Sequence, residues 1–151
     1  MRLIFAMRDL KEKQKLAWEG MFYSIQRIDL LIVSICGAGI YVCLELIKHL
    51  TIKEESIHIL VKLSGACFLF GIIVNFLSQI FGYISNKHDF LMYDVEINAK
   101  DKPTKDDEKS ISKHDKKSTW YSDLTEIFNY SSMGLMSIGL ILIMCYFFFT
   151  F

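Results

Sequence analysis

Small and polar residues recur at helical spacing inside a strongly apolar stretch near the middle of the chain. Steps of three or four connect seven of them: Ser64, Cys67, Gly71, Asn75, Ser78, Gln79 and Gly82. Residues at these steps share one face of a helix, and their hydroxyl and amide groups form hydrogen bonds. In lipid, such a face contacts another helix or borders water. The sequence therefore predicts a helix-contact or pore-lining stripe.

A second set with the same spacing lies in the preceding apolar stretch. We predict that it is the first-span counterpart of the stripe, and its members are Ser34, Ala38, Tyr41 and Glu45. An antiparallel pairing of the two stretches brings Glu45 to the depth of Lys62. A charged carboxylate that faces lipid costs roughly 2.5 kcal/mol or more near the centre of a helix. We therefore expect an ion pair between Glu45 and Lys62.

The remaining reactive residues do not form patterns typical of catalysis or metal binding. All four cysteines lie in apolar stretches, spaced neither as a disulfide framework nor as a metal pair, so we interpret them as packing residues. Glu54 and His58 share a helix face, but two donors are fewer than a metal site requires. The chain has no Gly-rich phosphate loop and no nucleophile elbow. The sequence predicts a non-enzymatic protein without a metal or a cofactor.

The elements that carry these residues are three long apolar segments, at about 28–47, 60–84 and 133–151. Each reaches the ~20 residues with which a helix crosses ~30 Å of hydrocarbon. They do not alternate as the strands of a membrane barrel do, and helices satisfy the backbone in lipid. We therefore predict an all-α integral membrane protein with three transmembrane helices. The third segment ends in bulky residues, and we expect this helix to face lipid.

The parts of the chain around these segments are predicted to differ in order. Residues 1–27 form an amphipathic juxtamembrane helix, which lies on the membrane surface or packs on its own protein as an ordinary cytosolic helix. Residues 28–84 form a transmembrane hairpin, and residues 133–151 form the third transmembrane helix. Residues 85–132 between them form a charged cytoplasmic loop. Its part 99–117 is predicted to be disordered, because it contains the only proline and few apolar residues.

The distribution of positive charge predicts the orientation of the chain. Fourteen of the 17 Lys and Arg residues precede the first apolar segment or lie between the second and the third. By the positive-inside rule, the N-terminus and the 85–132 loop are cytoplasmic and the C-terminus is outside. No organellar targeting sequence is recognisable, which favours a bacterial inner membrane. The eight lysines of the loop are offset by ten acidic residues, so we expect no nucleic-acid partner.

Two classes of function fit this layout, besides a purely structural role in which three helices pack with one stripe each. Asn75, Gln79 and Glu45 provide more polar surface than such a bundle needs. The first hypothesis is therefore a homo-oligomeric pore-like or membrane-perturbing effector, for example of a prokaryotic defence system, or a channel accessory. The alternative is a non-conducting subunit that binds a membrane partner, as an immunity, anchor or assembly protein does. Both hypotheses expect a lipid bilayer, with further copies or another membrane protein as partner.

Overall fold

Three α-helices make up the computed structural model, which describes the backbone of residues 2–53, 56–99 and 104–150 and the side chains of 26–53, 56–95 and 104–150. The helices are α1 (Arg2–Ile52), α2 (Ile59–Ala99) and α3 (Lys105–Thr150). The described residues include no strand. Each helix contains a part that is long and apolar enough to cross a membrane. The prediction of an all-α chain with three helices suited to span a membrane is confirmed.

Helices α2 and α3 are longer than their apolar segments. At about 1.5 Å per residue, the 41 residues of α2 extend about 60 Å, roughly twice the thickness of the hydrocarbon layer. Residues 85–99 of α2 and residues 105–132 of α3 therefore extend beyond the apolar segments. They continue side by side, because Ser85 contacts Ser118 and His88 contacts His114.

This arrangement differs from the predicted loop over residues 85–132. Residues 85–99 belong to α2 and residues 105–132 to α3, including 105–117 of the segment that we expected to be disordered. Residues 100–103 of that segment lie outside the described part of the chain.

A capping box explains why α3 begins where composition alone indicated disorder. The hydroxyl oxygen of Thr104 accepts a hydrogen bond from the N–H of Asp107 at 3.3 Å. In return, the N–H of Thr104 donates to the carboxylate of Asp107 at 2.9 Å. This reciprocal pair satisfies backbone donors at the start of the helix. The Thr-Lys-Asp-Asp string is therefore a local start signal that outweighs the polar composition of the segment.

Helix α2 is the centre of the packing. Helix α3 packs against α2 more extensively than α1 does, and α1 contacts α3 least. At the centre, the fully buried ring of Phe68 lies between Gly39 of α1 and Gly139 of α3. Further buried side chains extend this core: Ile32, Cys36, Cys43, Val61, Ile143 and Tyr146. Helix α3 is therefore the main partner of α2, while most of its apolar part stays exposed on the outside of the bundle, where we expected the third helix to face lipid.

Large apolar side chains cover the outside of the bundle. Leu30, Phe76, Ile141 and Phe148 are examples from all three helices, each more than half exposed. Such a surface suits contact with lipid rather than water. The predicted amphipathic character of residues 1–27 rests mostly on side chains outside the described part of the chain. The backbone there is helical from Arg2 onward and continues without a break into the first span.

Candidate functional site

The stripe of α2 meets a carboxylate of α1. Asn75 donates from Nδ2 to Oδ1 of Asp29 at 3.0 Å, and Gln79 donates from Nε2 to Oδ2 at 2.7 Å. Both amides reach the same carboxylate because they are four residues apart, about one turn of α2. Asn75 is buried, whereas Gln79 is exposed. Asp29, Asn75 and Gln79 therefore form a polar clasp between the two helices.

The polar clasp borders an open cleft between α1 and α2. The cleft has a volume of about 320 Å³ and six lining residues: Gln26, Asp29, Leu30, Val33, Asn75 and Gln79. One carboxylate and three amides thus lie close to two apolar side chains. This combination can receive a polar or cationic group at the edge of the apolar segment.

Other hydroxyl groups of the stripe contact α3. Ser64 donates from Oγ to the carbonyl oxygen of Gly139 at 2.7 Å. The Oγ of Ser78 lies within hydrogen-bonding distance of two acceptors, the carbonyl oxygen of Thr125 and Oδ1 of Asn129. A hydroxyl has one proton and donates to one acceptor at a time. These contacts join α2 to α3 at two levels of the bundle.

Two glycines of the stripe allow close approach of neighbouring helices. A Cβ at Gly71 would lie 3.3 Å from Sγ of Cys36 on α1 and 3.6 Å from the carbonyl oxygen of Ser132 on α3. A Cβ at Gly82 would lie 3.5 Å from a side-chain carbon of Thr125. The structure therefore brings six of the seven residues of the stripe into contacts between helices of the same chain, and Cys67 is half-buried.

The predicted first-span counterpart does not face the stripe. All four of its members are exposed: Ser34, Ala38, Tyr41 and Glu45. At 3.6 residues per turn they lie roughly half a turn from the α1 residues that contact α2, which include Asp29, Cys36, Gly39 and Cys43. Small side chains let α2 approach on that side. The interval of seven that relates Asp29, Cys36 and Cys43 is the sequence signal that indicates this side.

The predicted ion pair between Glu45 and Lys62 does not form within the chain. Both side chains are described and exposed, and they form neither an ion pair nor a hydrogen bond with each other. Their predicted depth agrees with the packing, because a Cβ at Gly65 would lie 3.5 Å from Cβ of Cys43. In antiparallel helices this contact puts Lys62 level with Leu46. The direction of Glu45, which points away from α2, separates the two charges.

A second polar cluster lies where α2 and α3 extend beyond the apolar segments. The Nδ1 atoms of His88 and His114 are 2.9 Å apart, so one ring donates a hydrogen bond to the other. Tyr121 stacks on His88, with 6.0 Å between ring centroids and an interplanar angle of 13°. Nearby, Ser85 donates from Oγ to the carbonyl oxygen of Ser118 at 2.9 Å. The sequence did not indicate this histidine cluster, because residues 85–132 were expected to form a loop.

The surroundings of His88 disfavour a positive charge on its ring. Desolvation is the main cause that lowers the pKa of His88 below its ordinary value, and Lys117, His114 and Lys87 lower the pKa further. Asp89 opposes them and raises the pKa. His88 lies beyond the apolar segment 60–84, in the part of α2 that extends outside it.

Comparisons with known proteins do not assign a function to these clusters. Neither protein-family models, nor curated proteins, nor solved structures give a match to the chain. Among the described residues, no group of three or more His, Cys, Asp or Glu side chains is placed to hold a metal ion. The function has to be inferred from the helix contacts themselves.

Proposed function

We propose that the protein is a small, non-enzymatic membrane subunit that does not conduct ions and acts by assembling with membrane proteins. The observation that carries this proposal is that the polar side chains of the stripe donate hydrogen bonds to acceptors of the same chain. The amides of Asn75 and Gln79 donate to Asp29. Ser64 and Ser78 donate to groups of α3. A water-filled path would need these polar groups to face water, whereas here they hold the bundle together.

Hydrogen bonds between helices stabilise a membrane bundle when their groups have no water as alternative partner. Single side-chain bonds of this kind contribute about 0.6 to 2 kcal/mol each. In the described part of the chain, every buried side-chain nitrogen and oxygen has a hydrogen-bond partner. The three helices can therefore form one stable unit, with the apolar outside available for lipid or a partner.

The proposed setting is a bacterial inner membrane, with the N-terminus in the cytoplasm and the C-terminus outside. Fourteen of the 17 Lys and Arg residues support this orientation, because they lie before the first span or between the second and the third. In this setting the histidine cluster is cytoplasmic. The polar clasp lies near the cytoplasmic end of the first two spans.

Expression of the protein alone in bacterial cells distinguishes a subunit from a pore. We expect the wild-type chain to leave the membrane potential unchanged, as measured with a potential-sensitive dye. The variant Asn75→Leu/Gln79→Leu also leaves it unchanged but loosens α1, because Asp29 loses both donors. The two buried cysteines that remain in a chain with Cys67→Ala and Cys145→Ala, Cys36 and Cys43, then react faster with maleimide.

A matched control replaces two exposed residues of the same helix. Phe76→Leu/Ile80→Leu lies beside the polar clasp but removes no hydrogen bond, since both side chains face outward. We expect this control to protect Cys36 as the wild type does. Depolarisation by the wild type that Asn75→Leu/Gln79→Leu abolishes would contradict the proposal.

A homo-oligomeric pore-like effector is the second candidate, and the open cleft favours it. Asp29 and Gln79 both line the cleft, so copies arranged around a path could present one carboxylate each to passing cations. In that case Asp29→Asn would reduce a leak of cations more than a leak of anions. Ion flux from vesicles that contain the purified protein measures this difference.

A further inference from the structure

Two opposite charges near one end of the apolar segments lack a partner in the described part of the chain. Glu45 on α1 and Lys62 on α2 are both exposed, and neither forms an ion pair there. Glu45 belongs to the side of α1 that points away from α2, which we call the outer α1 face: Ser34, Ala38, Tyr41 and Glu45. A carboxylate on such a face is costly in lipid unless it reaches water or a cation.

We propose that a second copy of this chain packs against the outer α1 face, with Glu45 of each copy paired with Lys62 of the other. This inference rests on the proposed function, a membrane subunit that acts by assembly, and it names the partner. The occupant is indicated by charge complementarity, because the chain itself carries the cation that its outer α1 face requires.

The depth of the two charges supports the pairing. Gly65 lies opposite Cys43, and Phe68 lies opposite Gly39. This register puts Lys62 within about one residue of the level of Glu45, or about 1.5 Å along the helix axis. Two copies inserted in the same orientation present equal residues at equal depth, so only groups at matching levels can pair between them.

The position of Lys62 around α2 supports it as well. One side of α2 faces α3, where Ser64 donates to Gly139. A second side, about 100° away around the helix axis, faces α1, where Gly65 contacts Cys43. At about 100° per residue, Lys62 lies about 60° beyond Gly65, on the side away from Ser64. Lys62 therefore lies on the flank that borders α1, next to the helix that presents Glu45.

A two-fold axis along the membrane normal makes the contact reciprocal. Such an axis brings the same surface of both copies together, so each Glu45–Lys62 contact occurs twice. If only the two α1 helices met, the Glu45 carboxylates of the two copies would lie near each other and repel. The two lysines remove this repulsion, and the small side chains of Ser34 and Ala38 permit close approach.

Charge exchange between copies tests the proposal. Chains with different fluorescent labels are reconstituted in dilute lipid vesicles, and energy transfer measures the dimer. We expect transfer for the wild type. Glu45→Lys alone and Lys62→Glu alone each reduce the dimer at least about tenfold, because each puts like charges together twice. A mixture of the two single variants restores it as a mixed dimer, since every contact again joins opposite charges.

Recovery in the mixture separates contacts between copies from contacts within one chain. The exchanged double variant Glu45→Lys/Lys62→Glu would recover in either case, but a pair within one chain would stay broken in the mixture. Lys53→Glu, which reverses another exposed lysine on the same side of the membrane, keeps wild-type transfer. A monomeric wild type, undisturbed single variants, or a mixture that does not recover would each overturn the proposal.

Two further measurements show whether a variant is folded and whether the dimer or the proposed function has failed. Protection of the buried Cys36 from maleimide, as in the wild type, shows that a variant retains its fold. The membrane-potential assay is independent of the dimer. Failure of the mixed dimer in a protein that does not depolarise cells rejects the second copy and leaves the assembly function in place. Depolarisation that depends on Asn75 and Gln79 rejects the assembly function itself.

Discussion

The ring of Phe68 fills the space that two glycines leave at the centre of the bundle. A Cβ at Gly139 would lie 2.7 Å from a ring carbon, and a Cβ at Gly39 would collide with the other side of the ring. An isolated aromatic ring could turn aside from one added methyl group. This ring cannot, because backbone from α1 and from α3 encloses it on opposite sides.

Alanine at either glycine is therefore expected to destabilise the fold. Gly39→Ala and Gly139→Ala should each lower the free energy of unfolding by about 1–3 kcal/mol, the usual cost of overpacking. Unfolding in detergent micelles measures the loss. Gly37→Ala and Gly134→Ala are matched controls, since a Cβ at either meets open space and alanine favours helix over glycine. Equal losses at all four positions would contradict the enclosed ring.

At the scale of the element, the capping box sets where α3 begins. We expect Thr104→Ala to remove the acceptor for the N–H of Asp107 and to fray the first turn. Amide hydrogen exchange over residues 105–110 should accelerate by about fivefold, as the loss of a typical N-cap implies. Thr119→Ala is the control, because Thr119 bonds the carbonyl of Asp115 within the helix and caps nothing. Unchanged exchange in Thr104→Ala would show that another interaction starts α3.

We expect the histidine cluster to make the contact between the extensions of α2 and α3 sensitive to pH. The pKa of His88 is lowered, chiefly by desolvation and then by neighbouring positive charges. Separated helices therefore bind a proton at His88 more readily than packed ones do. The stabilising contribution of neutral His88 to the packing of the two extensions is fully present above the ordinary histidine pKa of about 6.5. This contribution is lost as the pH falls below that value.

Spin labels on the two extensions measure this dependence. With labels at the exposed positions Asn86 and Lys116, we expect the distance distribution to broaden as the pH falls from about 7.5 to about 5. His88→Gln removes the change, because a glutamine side chain does not titrate in this range. His58→Gln, at an exposed histidine near the start of α2, retains it. A distance that does not depend on pH in the wild type would exclude the effect.

For the whole molecule, the length of α2 and α3 predicts what lies outside the membrane. Both helices continue past their apolar segments on the same side, so two paired helices project there instead of a loop. In a chain whose four cysteines are replaced by alanine, Lys109→Cys should react with an impermeant maleimide only in inverted vesicles. Thr150→Cys should react in intact cells. The reverse pattern would overturn the proposed orientation.

Periodicity and length determined much of this architecture without the structure. Three apolar segments of about 20 residues suffice to predict three helices, because the backbone must satisfy itself in lipid. Steps of three and four defined the stripe from Ser64 to Gly82 as one helix face. Antiparallel pairing predicted the common depth of Glu45 and Lys62. These are properties of single helices and of neighbours along the chain.

Only the tertiary structure decided which faces meet. Ser34, Ala38, Tyr41 and Glu45 have helical spacing, and so do the residues of α1 that are buried. Spacing alone therefore defines two faces of α1 but does not tell which of them is turned toward α2. The rotation of α1 around its axis follows from packing, where the Phe68 ring requires two glycines. It turns Asp29 toward the amides of α2 and Glu45 toward the outside. The stripe therefore makes its contacts within one chain, whereas Glu45 and Lys62 lie exposed on the outside of the bundle.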